Sequence, residues 1–447
     1  MSLQSSSTSP LLALLLVGST IGCGGDDAPS DPPDEPAACD VTLADPEISV
    51  ADGGLARVEL VVGEDVTELE ASVDQGEVVA VEGAFDLRAP YGIGGSAVTM
   101  TLGHLCAGEP TQATVSVPVR VATWAALPAW TGGVDGPINR EYGNFWVDPG
   151  NPDRVWAFGG FHYEPQQFTA ANELWSLELT TDTWIQHAPV DPPLQPGAGL
   201  ALVGEGEAIL FGALIDSSTT PFLLSRLDFA ADPPVFTDLA TAASPSFGDY
   251  QPSLVWDEPR DRVLSVCGVN TSTGYHCDVR LVEPTTGEVT VVETAGEAPV
   301  GRNGHFWVHD AMNERLVFFS GDRGSPTCDC HPDTWALELA EDPPRWVALD
   351  APGAPVGRRN GAYALDPDGH RMFVWGGTPD GATTAPGLWA LDLGRGREAW
   401  HQVMPAGDAP PERASGAMVY DAARKRLIMG FGNSTAGNFT DMWSVSL

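Results

Sequence analysis

The sequence predicts an all-β chain: a small β domain followed by six copies of one four-stranded unit. Two observations predict it. After residue 130 nearly the same pattern recurs six times, opening near Arg140, Gly197, Tyr250, Arg302, Arg358 and Arg413, at spacings of roughly 52 to 57 residues. Before it, residues 38–120 alternate apolar and polar positions with period two, as in Val58–Val62, Glu68–Val73 and Val98–Leu102, between Gly, Asp and Pro breaks.

Each copy reads as four strands. The first is apolar and in five copies ends at an aspartate: Asp148, Asp257, Asp310, Asp366 and Asp421. An arginine follows the turn: Arg154, Arg262, Arg315, Arg371 and Arg426. The second strand is a continuous apolar run, which suits burial on both faces. It closes on a glycine-bearing triplet, with full pairs at Gly159-Gly160 and Gly376-Gly377. The third strand carries Trp175, Trp335, Trp389 and Trp443, and the fourth Trp184, Trp346 and Trp400. The copies are unequal. The second lacks the Asp–Arg turn and has Phe236 for the fourth-strand Trp; the third has Cys267-Gly268 for the glycine pair and Val289 for that Trp. The fourth has Ser320-Gly321, and the sixth Gly430-Phe431-Gly432. The sixth copy also stops after its third strand. Val121–Leu127, with Trp124, is expected to supply the missing fourth strand and leave no sheet edge open.

Together these motifs resemble the kelch family over residues 121–447. That resemblance implies a β-propeller, here six-bladed and closed by strand 121–127, each repeat being one blade around a central channel. The tryptophans would fill the space between blades. Residues 38–120 read as a small Ig-like β-sandwich with Cys39 and Cys106 near its ends, placed to staple it.

Charge excludes whole classes of partner. Against 61 acidic residues stand 22 basic ones, a net of −39, and Lys425 is the sole lysine. Nucleic acid and anionic lipid both require Lys/Arg to displace counterions. The acidity reads as solubility or a salty habitat, or as a surface for a divalent cation or a cationic ligand.

Residues 1–22 resemble a bacterial lipoprotein signal: a short apolar run, Leu11–Val17, then Ser19-Thr20-Ile21-Gly22-Cys23. The resemblance implies lipidation at Cys23 and an exported chain anchored to the bacterial envelope. Residues 23–37, acidic and proline-rich, then form a solvated tether. With Cys23 lipidated, six cysteines remain for three disulfides in an oxidising compartment.

Three groups are candidates for function. The first is Cys267, Cys277, Cys328 and Cys330, with His276 and His331. These types can bind zinc, but export favours disulfides and no metal. Pairing is left open, since a Cys328–Cys330 bridge closes a strained ring. The second is Arg140, Arg302, Arg358 and Arg413, with Asp249 in the third copy. In a propeller these would face the channel mouth and suit a carboxylate or sulfate ligand; alternatively they pair with acidic neighbours and hold blades together. The third is the set of aromatic loop residues His162, Tyr163 and Tyr275, plausible contacts for a sugar or peptide.

No hydrolase, metalloprotease or P-loop pattern occurs. The kelch-type copper oxidases use a seven-bladed ring, whereas six copies are counted here, so no cofactor is expected. The favoured reading is a monomeric, non-enzymatic, surface-anchored protein that binds a protein or carbohydrate partner on one loop face. The alternative, by analogy with six-bladed periplasmic kelch enzymes, is a sialic acid-like sugar-acid epimerase or mutarotase.

Overall fold

The structure, a computed structural model, describes residues 39–128, 137, 140–164, 167–212, 222–242, 249–270, 274–286, 288–324 and 327–447. The signal segment, Cys23 and the tether lie outside them. The chain divides into two compact units, one ending at Ala122 with Leu447 added, the other spanning Thr123–Ser446. Among the described residues, apart from two 3-10 turns, Glu258–Arg260 and Ala311–Asn313, the regular structure is all strand.

The first unit holds two four-stranded sheets. Val41–Leu43, Leu55–Val62, Ala84–Arg88 and Glu77–Val81 form one; Val50–Ala51, Glu109–Arg120, Ala97–Cys106 and Val66–Val73 form the other. The period-two pattern has its physical cause here. Along Ala97–Cys106 the apolar residues Val98, Met100 and Leu102 are fully buried and alternate with partly exposed ones. They join Val58, Leu87 and Val117 in one core shared by both sheets. Cys39 is bonded to Cys106.

Among the described residues, the second unit holds six sheets of four or five strands in chain order, besides the two-stranded hairpins Phe161–Glu164 with Gln167–Ala170 and Asn433–Ser434 with Gly437–Asn438. The first is Asn144–Asp148, Asn151–Phe158, Leu174–Glu178 and Thr183–His187. The second is Gly199–Val203, Glu207–Phe211, Phe222–Asp228 and Val235–Ala242. The third is Ser253–Asp257, Arg262–Asn270, Gly274–Val282 and Val289–Val292, with Asp249–Tyr250 beside its second strand. The fourth is Phe306–Asp310, Arg315–Phe319, Thr334–Glu338 and Arg345–Leu349. Ala362–Asp366, Arg371–Trp375, Leu388–Asp392 and Trp400–Val403 make the fifth. The sixth is Ala417–Asp421, Arg426–Gly430, Met442–Ser446 and, from before the first copy, Thr123–Ala126. Trp124 lies opposite Val445 and packs on Trp375 of the fifth sheet, centroids 6.3 Å apart.

Apolar clusters bridge successive sheets. One joins the third and fourth through Leu264, Val266, Leu316 and Trp346; another joins the fourth and fifth through Phe306, Phe319, Met372 and Trp400. A third joins the sixth back to the first, through Val155, Leu177, Ile428 and Phe431. The continuous apolar second strands are buried along their whole length in Arg315–Phe319 and Arg371–Trp375.

The Asp–Arg turn is a buried ion pair. Arg371 Nη2 donates to Asp366 Oδ2 at 2.8 Å, and both side chains are almost wholly enclosed. Asp257–Arg262, Asp310–Arg315 and Asp421–Arg426 repeat it. Arg315 also reaches Leu393 O and Glu398 of the fifth sheet, tying two sheets together. The first copy departs: Asp148 accepts from Trp156 Nε1 at 3.0 Å across a shifted register, and Arg154 pairs with Glu178 instead.

The second glycine of each pair has a steric cause. A Cβ at Gly160 would stand 2.6 Å from Glu141 O, at Gly377 2.7 Å from Arg359 O, and at Gly432 2.3 Å from Ala414 O. Without one, the loop after the second strand closes on the residue ahead of the first. Glu141 and Phe161 exchange backbone hydrogen bonds, as do Asn303 with Asp322, Arg359 with Thr378, and Ala414 with Asn433. The first position demands a left-handed backbone instead. Cys267, Ser320 and Phe431 hold it without glycine, at φ 55°, 52° and 59°.

Candidate functional site

The site grows from the residues just ahead of each first strand. Tyr142, Gly197, Gln251, Gly304, Asn360 and Ser415 occupy equivalent positions in the six copies, and all six have φ between 53° and 71°. Backbone hydrogen bonds run from one to the next: Gly197 N to Tyr142 O, Gln251 N to Gly197 O, Asn360 N to Gly304 O, and Ser415 N to Asn360 O. The result is a collar. Its side chains meet across the opening: Asn360 Nδ2 donates to Tyr142 Oη at 3.2 Å, and Gln251 Nε2 to Asn360 Oδ1 at 3.4 Å. Asn303 Nδ2 donates to Gln251 Oε1 at 3.1 Å.

Inside the collar lies a cavity of about 500 Å³, walled by the first-strand residues Trp256, Trp307, His309 and Tyr363, with His305 just ahead of its strand. Its lining includes no carboxylate, lysine or arginine among the described residues. Burial, with Arg302 and His276 nearby, holds the His305 imidazole down at about 3, so it is neutral at physiological pH. His305 Nε2 lies 2.6 Å from Ser253 Oγ. Burial likewise raises the Tyr142 and Tyr363 phenols, which stay protonated. The arrangement offers neutral hydrogen-bond donors and acceptors over aromatic faces.

The four arginines take the second of the two arrangements their position allowed: framework positions paired with neighbours, not a ring open to a carboxylate ligand. All are 1–3% exposed. Each donates an Nη1 hydrogen bond to the carbonyl at the first position of its own sheet's glycine pair: Arg140 to Gly159, Arg302 to Ser320, Arg358 to Gly376, Arg413 to Phe431. Three also grip a carboxylate: Arg140 with Glu173, Arg302 with Asp333 and Arg413 with Asp441. Gln195 makes the same carbonyl contact in the second copy, Nε2 to Gly212 O at 3.3 Å. Burial lowers Arg358 to about 10, against the charge of Glu412.

His162 belongs to the Arg140 clamp. Its Nε2 lies 3.2 Å from Glu173 Oε2, and this hydrogen bond, with the Arg140 charge, outweighs burial and holds Glu173 at about 2. Tyr163 lies on the strand Phe161–Glu164; its side chain is outside the described residues. Tyr275 is exposed at 39% and lies over Gly324 of the next loop. The cysteines pair as Cys267–Cys277 on adjacent strands of the third sheet and Cys328–Cys330 within one loop of the fourth copy, rather than between copies. Asp322, beside the latter pair, binds Arg359 and the backbone N–H groups of Gly324 and Asp329.

Beside the collar is a second cleft of about 540 Å³, between loops 378–384 and 433–438, with Glu141 and Ala414 in its wall. Sequence reasoning missed the collar and this cleft. The available signal was position: the collar residue stands two after each arginine, and its side-chain identity varies.

Residues 258–447 match the family described as KLHDC2/KLHL20/DRC7 Kelch-repeats domain. An adagio-like protein 1 from Oryza sativa subsp. japonica is 24% identical over 312 residues, covering 66% of this chain and 48% of its own length. Acyl-CoA-binding domain-containing protein 4 from Arabidopsis thaliana is 28% identical over 187 residues, 41% of this chain and 26% of that protein. The chain thus spans about half, or less, of the curated relatives it matches. Among solved structures, a fungal alcohol oxidase of the AA5 family in complex with copper superposes with a TM-score of 0.51 at 14% identity, covering 73% of this chain and 76% of that one. The protein YjhT gives 0.50 at 14% identity, over 71% of this chain and 96% of that one. These matches support kelch repeats and a β-propeller fold, and at this identity the structural likeness speaks to fold alone.

Proposed function

We propose that the chain is a surface-anchored, non-enzymatic binding protein. A six-bladed kelch propeller, carried on a β-sandwich spacer and a tether lipidated at Cys23, presents its collar face to a protein or carbohydrate partner. The observation that carries this reading is the collar. It fixes neutral amide and hydroxyl groups on a backbone collar, hydrogen-bonded at four of its junctions, above aromatic walls, a pre-organised surface for polar recognition. The kelch match agrees, since kelch repeats generally mediate protein binding. The sugar-acid alternative drew on arginines open at the mouth, and the buried clamps leave it without that support.

The test uses glycines already present in the ring. Gln251→Gly with Asn360→Gly removes both amides while keeping the left-handed backbone that Gly197 and Gly304 adopt. A partner found by screening glycans and envelope proteins should bind the wild type and lose affinity for the double variant at unchanged thermal stability. Equal binding by both proteins would remove the collar from the account.

A further inference from the structure

The cleft beside the collar supports a second, independent reading. At three junctions among the described residues, the residue ahead of the collar position meets the loop that follows the glycine pair of the preceding sheet. Between the fourth and fifth sheets this slot holds an ion pair, Arg359 with Asp322. Between the fifth and sixth it holds Ala414 beside Thr378, and the missing side-chain volume opens the cleft. Between the sixth and first it holds Glu141 with Asn433, whose Nδ2 donates to Glu141 Oε1. The carboxylate that elsewhere meets an arginine here meets a neutral amide.

Glu141 is only 5% exposed, yet it lines the cleft. Among the described residues no cationic side chain pairs with it, whereas Glu173, Asp322, Asp333 and Asp441 on the same face each hold an arginine. A buried carboxylate without a counter-charge is costly unless a cation arrives. Around it the walls carry hydrogen-bond acceptors: Thr378, Thr384, Ser434 and Asn438. Asp380, an exposed residue of the 378–384 loop that accepts from the N–H groups of Ala382 and Thr383, adds a second negative charge to that loop. The net charge of −39 draws cations toward the whole surface.

We propose that this cleft binds an organic cation, a protonated amine or guanidinium, with Glu141 as its counter-charge and the threonine and asparagine walls accepting its remaining N–H groups. The cation reaches the cleft either as a free polyamine or as a Lys or Arg side chain of a peptide.

Isothermal titration of the full chain with spermidine, methylguanidinium and a short neutral-ended peptide carrying one arginine tests it. Saturable binding of at least one is expected. Glu141→Gln, which keeps the hydrogen bond from Asn433, should weaken it by about tenfold or more. Ala414→Leu, which fills the cleft and keeps the charge, should weaken it as well, with both variants melting as the wild type does. Stronger binding of spermidine marks a free polyamine; stronger binding of the peptide marks a protein side chain. Undiminished affinity in Glu141→Gln overturns the proposal, as does the absence of saturable binding by all three probes at millimolar concentration. Neither result bears on the collar, which Gln251 and Asn360 test separately.

Discussion

Arg302→Ala separates framework from recognition most sharply. The Arg302 guanidinium is 1% exposed and makes four hydrogen bonds: Nη1 and Nη2 to Asp333 at 2.7 and 2.8 Å, Nη1 to Ser320 O at 2.9 Å, and Nε to Val300 O at 3.0 Å. Truncation strands two carbonyls and one carboxylate. Breaking a buried ion pair costs about 3–5 kcal/mol. The Asp333 side chain is 30% exposed and keeps the Trp335 indole N–H, so water and that donor soften the loss toward about 3 kcal/mol. Arg302→Lys keeps the charge but not the two-pronged grip, and about half of that cost is expected. All 14 tryptophans lie at residue 124 or beyond, so indole fluorescence in denaturant reports the second unit alone. The midpoint should fall with an unchanged slope. Acid supplies a second reading. Burial opposes ionisation of Asp333, but hydrogen bonds from Arg302 and Trp335 and the Arg302 charge hold its carboxyl below the usual range. A depressed folded value means the pair stabilises fully above the ordinary carboxylate pKa and fades as pH falls through the folded one. The gap between wild type and Arg302→Ala should therefore narrow in acid. A cost below about 0.5 kcal/mol at neutral pH would refute the clamp reasoning.

Three further outcomes follow from the same geometry. Trp124→Ala removes the main apolar anchor of the closing strand and should cost about 3–5 kcal/mol, read as a lower fluorescence midpoint. His305 sits at about 3 when folded against 6.5 ordinarily, so the unfolded chain binds the extra proton first. Stability is lost as pH falls from about 6.5 toward 3, and His305→Gln should flatten that slope in acid titrations followed by circular dichroism. Cys39→Ser with Cys106→Ser opens a loop of 67 residues and should cost the first unit about 4 kcal/mol by loop entropy, measured by calorimetry.

Much of the framework was legible because it rests on residue types that recur. The Asp–Arg turns appear as ion pairs in four copies, and Trp124 falls in the strand that completes the sixth sheet. Only the first copy misled, since Asp148 already serves the Trp156 indole and leaves Arg154 to Glu178. The candidate site was less legible for a physical reason. A collar position must accept a left-handed backbone, and Tyr142, Gly197, Gln251, Gly304, Asn360 and Ser415 all do so without sharing a side chain. The cleft was hidden differently: Glu141 and Asn433 stand 292 residues apart and meet only because the sixth sheet packs beside the first. The arginines were found at the right place. Their burial, not their position, decides that they clamp.

The central claim is that two residue sets, two positions apart in the chain, divide the work: arginines hold the ring, collar amides meet the partner. Measuring affinity per folded molecule for one identified partner, across wild type, Arg302→Lys and the Gln251→Gly/Asn360→Gly double variant, tests it directly. The account predicts a lowered denaturation midpoint with unchanged affinity for Arg302→Lys, and an unchanged midpoint with lost affinity for the double variant. The reverse pattern, affinity lost with Arg302→Lys and kept without the amides, would contradict it.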